Sequence, residues 1–577
     1  MLKKNINLIV LVLLLVIIVS ANPVYNYLKA NFILVEDKEV QAQQSSTTLK
    51  DSGINEDRSI YSIDNPTVID FYITVLAKSE SSSQSKYMNF EDMNKKINAT
   101  NPNIDPNLQV IIQEGNESGP EKGKFGYGVD VPNGIIELRG QSTRQAIQKS
   151  YKVKLFDSAG SWNGQKILNF NKHPFDLTRV RNKLSFDLFT MLPNMTSLRT
   201  QFVRLHIKDL SSPNATDKFV DYGLFTEIEQ PNKSFLASHG LDPNGTLYKA
   251  DNFDFSRMPD VIKNVDDPSY DKKKFDNVLE VRAGNDNSKL IEMLDELNDY
   301  TKDIDEVIDK YFDRDNYLTW LATNILMGNT DTRNRNFLLY SPMNSTKWYF
   351  MPWDYDGAWD WTEQVGNDGK MRSEWEKGAS NYWEIELHRR FFKNPDNIKQ
   401  LTQKVEEVSH ILNKQNTKKL LDSYYSIIKP IISREPDLSH LEAPYKYFDS
   451  EYNKLPGIIE SNKKNYLENL EKPLPVFLGK LAIENNQYVL TWDQSYDFQG
   501  DGIYYDFSVA TDPEFKNVVV NKPGLDVTKT ELPTLQKGDY YWKITVRDSK
   551  GNTQLAFDNY TDNFGKKYYG MCKITIN

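Results

Sequence analysis

Gly328–Gly357 reads GNTDTRNRNFLLYSPMNSTKWYFMPWDYDG, and the order of its polar residues decides how the rest of the chain is understood. Asp331 falls in a polar loop, Asn336 follows five positions on, and two short β-branched and aromatic runs, NFLLY and KWYFMPW, come next with a turn at Pro342–Ser345 between them. Asp354 closes the second run and Asp356 stands two positions beyond it. A hairpin of this kind carries oxygen donors at its open end. Just upstream, apolar residues three and four apart in KLIEMLDELNDY and YLTWLATNILM predict helices, the second capped by Asp313. The acidic loop therefore follows a helix and precedes a hairpin.

Phosphoryl transfer is a reaction that asks for this set. The attacking hydroxyl needs a carboxylate to orient it and take its proton, and the phosphates of ATP need Mg²⁺ (or Mn²⁺) held by hard oxygen ligands. In protein kinases an Asp, an Asn five residues on and a second Asp past a short hairpin fill those roles. Asp331, Asn336 and Asp354 stand in that order. Asp356 has three readings: it shares the metal, accepts a hydrogen bond behind it, or points to water. Asp, Asn and Gly are also the ordinary residues of turns, so the segment alone leaves a purely structural loop open.

Phosphates also need cations. Leu138–Leu155, LRGQSTRQAIQKSYKVKL, offers a Gly loop with Arg139, Ser142 and Arg144, then a strand with Lys149, Lys152 and Lys154. By strand parity Lys152 and Lys154 share one face and Lys149 takes the other. The loop is not GxGxxG, so hydroxyl and Arg donors from Gln141 to Arg144 would replace a backbone cradle.

Around these motifs the chain has 577 residues, too many for a single core. Hydrophobic content of 39% and charged content of 26% are those of a globular protein. A net charge of -10 provides no field for gathering nucleic acid, so no nucleic-acid partner is expected. The one cysteine excludes an intrachain disulfide, and no Cys/His cluster has zinc-ligand spacing. Lys3 and Lys4 precede an uncharged run, Ile6 to Leu28, which reads as a transmembrane anchor or an export signal over residues 1–35, the rest of the chain lying outside the cytoplasm.

A polar linker is expected over 36–65, a β-rich part followed by a helical part over 66–471, and after Pro473 and Pro475 a small all-β sandwich over 474–577. One helix, in RVRNKLSFDLFTML at Arg179–Leu192, is expected to interrupt the β-rich part.

RGQSTRQAIQKSYKVKL, RVRNKLSFDLF, YGLFTEIEQPNKSFL at Tyr222–Leu236, and the pair GNTDTRNRN and PWDYDG, taken in order, resemble the CotH (spore coat protein H) kinase family. YYWKITVRDSKG resembles a fibronectin type III strand and turn. The family resemblance implies an α+β, two-lobed, divergent protein-kinase-like fold, with a β-rich N-lobe and a helical C-lobe, and ATP-dependent phosphorylation of Ser or Thr in protein substrates.

It makes Asp331 the catalytic Asp and Asp354 the metal-binding Asp, with Asn336 assisting. Lys152 or Lys154 would hold phosphates, Arg181 and Asn182 would order the site, and Glu229 in the strand and hinge segment would meet the nucleotide. Spore-coat kinases work inside the mother cell, whereas this chain carries an export segment. Two other functions fit parts of the sequence. One is a non-catalytic envelope scaffold; the other is a carbohydrate-active enzyme with Asp354 and Asp356 as its acids and Trp353, Trp359 and Trp361 stacking on sugar.

Overall fold

The β-branched and aromatic runs of the first part form strands β1 (Val68–Val75), β2 (Asn107–Asn116), β3 (Gly119–Pro120), β4 (Gly134–Arg139), β5 (Ser150–Leu155), β6 (Ile167–Asn171), β7 (Thr200–Asp209) and β8 (Val220–Ile228). They are seen in a computed structural model that describes residues 54–61, 67–77, 89–95, 107–366 and 373–577. All of these lie in one compact unit, Gly53–Asn577.

The sheet runs β1-β7-β8-β6-β5-β4-β2-β3, and β1 also pairs with β2, so the sheet closes on itself. The β1–β7 pairing is parallel and its neighbours are antiparallel. Alternation then decides what each strand buries. Leu138, Tyr151, Val153, Phe170 and Phe225 turn inward to one apolar cluster. Glu137, Lys152 and Asn169 sit in one cross-strand row, with no member in that cluster.

A second sheet follows, ordered β10-β9-β11-β12. It comprises β9 (Thr246–Ala250), β10 (Leu279–Ala283), β11 (Phe337–Ser341) and β12 (Tyr349–Pro352). Helices 288–297, 304–311 and 314–326 lead into its hairpin, and helices 386–392, 395–411, 414–432, 448–454 and 458–470 follow it. Helix 314–326 is the hub of the helical part. Asp313 caps it through a 2.8 Å bond from the Asn316 amide, and Trp320 is fully buried against Phe337 and Phe350. Complete burial of one such aromatic stabilises the fold by about 1.5–3 kcal/mol.

The helix expected over Arg179–Leu192 spans Arg181–Phe189 and is buried on nearly every side. Order also begins earlier than the expected linker boundary. Asp57 N donates to His239 O at 2.9 Å and Tyr61 OH to Ser197 O at 3.0 Å, which fastens residues 54–61 to the body. The expected anchor or leader over residues 1–35 lies outside the described residues. Among the described residues no helix is long and apolar enough to cross a membrane.

After Pro473 the chain is all β. Strands 482–484, 487–491 and 529–531 make one sheet, strands 503–510, 518–525, 538–548, 553–555 and 571–576 another, and their inner residues share one apolar cluster. This module packs on the helical part through the Trp383–Tyr496 stack and the Trp375–Phe557 edge contact.

Candidate active site

The β11–β12 ladder ends at the pair Phe337↔Pro352. The residues just past it, Asn336 on one side and Trp353 and Asp354 on the other, therefore leave the hairpin together. Both Asn336 and Asp354 hold left-handed backbone (φ 58° each), a conformation Asn and Asp tolerate better than most residues. The preceding loop is bolted down at both ends. Asn329 Oδ1 accepts from the Asp331 amide at 3.1 Å, Asn324 Oδ1 accepts from Thr332 Oγ1 at 2.9 Å, and Asn336 N donates to Ala250 O at 3.1 Å. The Asn336 side-chain amide then reaches Asp331 Oδ2 at 2.7 Å.

These residues open into a cleft of about 460 Å³ between the hairpin sheet and the outer face of β4, β5 and β6. Asp331, Asn336, Asp354 and Asp356 line one wall; Arg139, Ser142, Arg144 and Lys152 line the other. Asp331 is exposed to solvent at the cleft, with neighbouring protein crowding one side of its carboxyl. The loss of water on that side, reinforced by the Asp356 charge, pushes it up to about 6. Burial, then the charges of Asp356 and Asp331, push Asp354 up to about 7 against the pull of Arg139 and Lys249. Burial also lowers Arg139 to about 10, even with Asp354 opposing that shift. The wall is thus short of positive charge, and its donors are hard oxygens of the kind that hold Mg²⁺ or Mn²⁺.

Unsatisfied polar atoms concentrate around the same space. Arg139 Nη1, Asn171 Oδ1, His173 Nε2 and both amide atoms of Asn182 are buried with no partner in the protein. Arg139, Asn171 and Asn182 share a small void with Asp354. Buried groups of this type are normally paired, so their clustering marks a place built to meet a polar ligand. Gly140 shapes the loop opposite. Its φ is +85°, and a Cβ there would meet Thr143 Oγ1 at 2.0 Å. Arg144 folds back on this loop, donating to Gly140 O at 2.9 Å and Leu138 O at 3.1 Å.

The residues singled out in the sequence do not all converge. Lys152 faces the cleft with its Nζ 3.5 Å from Glu137 Oε1. Lys154 sits 2.7 Å from the same oxygen, half exposed and outside the cleft lining. Lys149 points the other way, as parity requires, and its Nζ donates to Arg144 O at 2.7 Å and to Ala146 O, supporting the loop from behind. Arg181 is buried in an ion pair with Asp176 and a 2.9 Å bond to Gln364, away from the cleft. Glu229 is likewise turned inward, ion-paired with Arg199 and 2.9 Å from His239 Nε2; its neighbour Gln230 lines the cleft instead.

Sequence reading missed Glu137, His173, Gln230, Lys249, Arg282 and Arg335, all of which line the cleft. Glu137 stands two residues before Arg139 on the same strand face, a signal that was readable; Lys249 and Arg282 arrive on strands whose pairing no local pattern announces. The three tryptophans each have partners within the protein, and Trp353 also lines the cleft. The Trp353 ring has the guanidinium groups of Arg139 and Arg282 over it at 5.9 and 5.8 Å, Trp359 is fully buried and donates to Ser185 Oγ, and Trp361 donates to Phe175 O.

Fold and site together define a mixed α+β protein with an oxygen-rich, cation-faced cleft between two sheets. Residues 136–466 match the family described as CotH kinase protein, and the chain belongs to that family. It is 26% identical over 229 residues to the inner spore coat protein H of Bacillus subtilis (strain 168), a match that covers 39% of this chain and 58% of that relative. The chain thus spans less than two thirds of that relative's length. Among solved structures, the Helicobacter pylori proinflammatory kinase CtkA matches with a TM-score of 0.21 and 11% identity over 58% of this chain and 94% of that one.

Proposed function

We propose that this chain is an ATP-dependent protein kinase of the CotH type that phosphorylates Ser or Thr of a protein substrate at the cell envelope or spore surface. The observation that carries the reading is the convergence of Asp331, Asn336 and Asp354 on a cleft whose far wall bears Arg139 and Lys152. In this reading Asp331 orients the acceptor hydroxyl. The hydroxyl oxygen bonds to the γ-phosphorus, the bond from that phosphorus to the bridging oxygen breaks, and the hydroxyl proton passes to the Asp331 carboxylate.

Asn336 holds the second oxygen of Asp331 and keeps the first turned to the cleft. Arg139 and Lys152 offset the triphosphate charge, and Ser142 adds a hydroxyl donor. Asn336 and Asp354, with Asp356 beside them, are the residues that would hold Mg²⁺ or Mn²⁺, which when bound supplies charge neutralisation at the phosphates. The apolar N-terminal run supports an exported, membrane-anchored placement, and the spore-coat relative supports a place at the spore surface. A fibronectin type III-like role for residues 474–577 would be to bind or space, not to catalyse.

The test is incubation of the protein with γ-labelled ATP and Mg²⁺ or Mn²⁺, comparing wild type with Asp331→Asn and Asp354→Ala, followed by identification of the labelled residues. Label on Ser or Thr in wild type alone is expected. Equal labelling in all three proteins rejects the assignment. ATP binding without transfer in wild type would instead indicate a scaffold.

A further inference from the structure

Two loops of the C-terminal β-module bring together a second group of carboxylates, remote in sequence from those of the cleft. Asp497 and Asp501 lie in the loop before strand 503–510, and Asp548 ends strand 538–548. One carboxylate oxygen of each lies within 4.8 Å of the other two. That spread is no wider than twice a calcium–oxygen bond of about 2.4 Å.

Acidic neighbours alone are common on protein surfaces. What separates this group is Asp497, which is only 4% exposed and whose Oδ2 is buried with no hydrogen-bond donor. Its Oδ1 already accepts from the amides of Gln499 (2.9 Å) and Asp501 (3.0 Å). A buried carboxylate oxygen with no donor is unfavourable unless positive charge stands beside it. Among the described residues the cation in contact with the group is the Lys550 ammonium, 2.8 Å from Asp501 Oδ2, on a side chain that is 53% exposed. Arg547, held by Asp506, acts on Asp548 from farther off, and the group of three carboxylates stays net negative. Lys550 can turn out into water without giving up packing.

The same loops fasten the module to the body. Gln499 Nε2 donates to Leu470 O at 3.0 Å, and Asn552 Nδ2 bridges Glu471 O (2.9 Å) and Asp548 Oδ2 (2.7 Å). We propose that Asp497, Asp501 and Asp548 form a calcium site that clamps the C-terminal module onto the end of helix 458–470. Calcium suits the group better than magnesium. Its larger shell accepts irregular oxygen geometry and completes itself with water, whereas magnesium demands a near-ideal octahedron. Three protein ligands place the affinity near that of extracellular calcium modules, about 0.1–1 mM.

The test uses the full-length protein stripped of metal and titrated with CaCl2, following thermal unfolding and proteolytic cleavage between residues 470 and 478. Calcium is expected to raise Tm and to slow that cleavage. Asp354→Ala, which alters only the cleft, should leave the response intact. Asp501→Asn should weaken it by about tenfold or more, and Lys550→Ala, which removes the competing ammonium, should shift the midpoint to lower calcium. These two variants carry the test because Asp497 also organises its own loop. The proposal is overturned by no response up to about 10 mM calcium, by a response that survives in Asp501→Asn, by one that vanishes in Asp354→Ala, or by weaker binding in Lys550→Ala.

Discussion

Asn336 donates its side-chain amide to Asp331 Oδ2 at 2.7 Å from a left-handed backbone position. Its backbone turns the chain into β11, its amide fixes the carboxylate assigned to the hydroxyl, and its side-chain oxygen is left for the metal. Asn336→Gly separates the backbone role from the two side-chain roles, because glycine keeps the left-handed turn and removes the side chain. The expected result is a fall in kcat of about 10–100-fold, with urea stability changed by no more than about 1 kcal/mol. Unchanged kcat would show that Asp331 needs no such restraint.

The acidic wall should cost stability when metal is absent. Burial and the charges of Asp356 and Asp331 hold Asp354 well above the ordinary carboxylate range. Its ionised form at pH 7.5 therefore opposes folding. Asp354→Asn is expected to abolish phosphoryl transfer yet raise the Tm of the metal-free protein by about 1–2 °C, equivalent to about 1–2 kcal/mol. Mg²⁺ should stabilise wild type and leave the variant nearly unmoved. A variant less stable than wild type in EDTA would mean that Arg139 depends on Asp354 more than Asp354 suffers from its neighbours.

How much of this was legible without coordinates depends on the range of the interaction. The hairpin, the Asp313 cap and the opposite faces of Lys149 and Lys152 follow from local pattern, and the structure has all three. Arg181 was legible as a residue of the right helix but not as one turned into an Asp176 pair, because strand parity has no counterpart that fixes a side chain at the first turn of a fully buried helix. Lys249, Arg282 and Gln230 reach the cleft only through the β10-β9-β11 pairing and the segment after β8, which join residues far apart in sequence. The closure of the first sheet by β1 pairing with both β2 and β7 is likewise a long-range choice.

Glu227 offers a pH test away from the cleft. It is 1% exposed with Oε1 unpartnered, and burial, then the charge of Glu229, pushes it up to about 8. The folded chain therefore holds this proton across a range in which the unfolded chain, with an ordinary pKa near 4.3, has released it. Stability must fall as pH rises through that window and level off above about 8. Glu227→Gln removes the titration, and its new amide can donate to the buried, donorless Gln165 Oε1. Urea melts should give nearly equal stabilities near pH 4.5 and a variant more stable by on the order of 2–4 kcal/mol near pH 8.5. The same difference at both pH values would rule out this titration.

The buried pair Lys172–Asp437 ties the closed sheet to the helical part, and it makes the final prediction. The charged atoms are 2.7 Å apart and neither side chain is exposed to water. Burial lowers Lys172 to about 8 despite the opposing charge of Asp437. Asp437 Oδ2 also accepts from the Leu224 amide at 2.8 Å, where Gly223, at φ +77°, leaves room; a Cβ there would lie 2.1 Å from that oxygen. Asp437→Asn keeps the acceptor but strands a buried ammonium, and should destabilise the protein by about 3–5 kcal/mol. Adding Lys172→Met removes that ammonium and leaves Arg179, which also faces Asp437, as a buried cation there. The double variant should therefore recover at least about 1.5 kcal/mol over Asp437→Asn alone, a coupling that equilibrium unfolding of the four proteins in the cycle measures directly. Additive losses would mean that the two residues stabilise the fold independently, with no charge shared between sheet and helices.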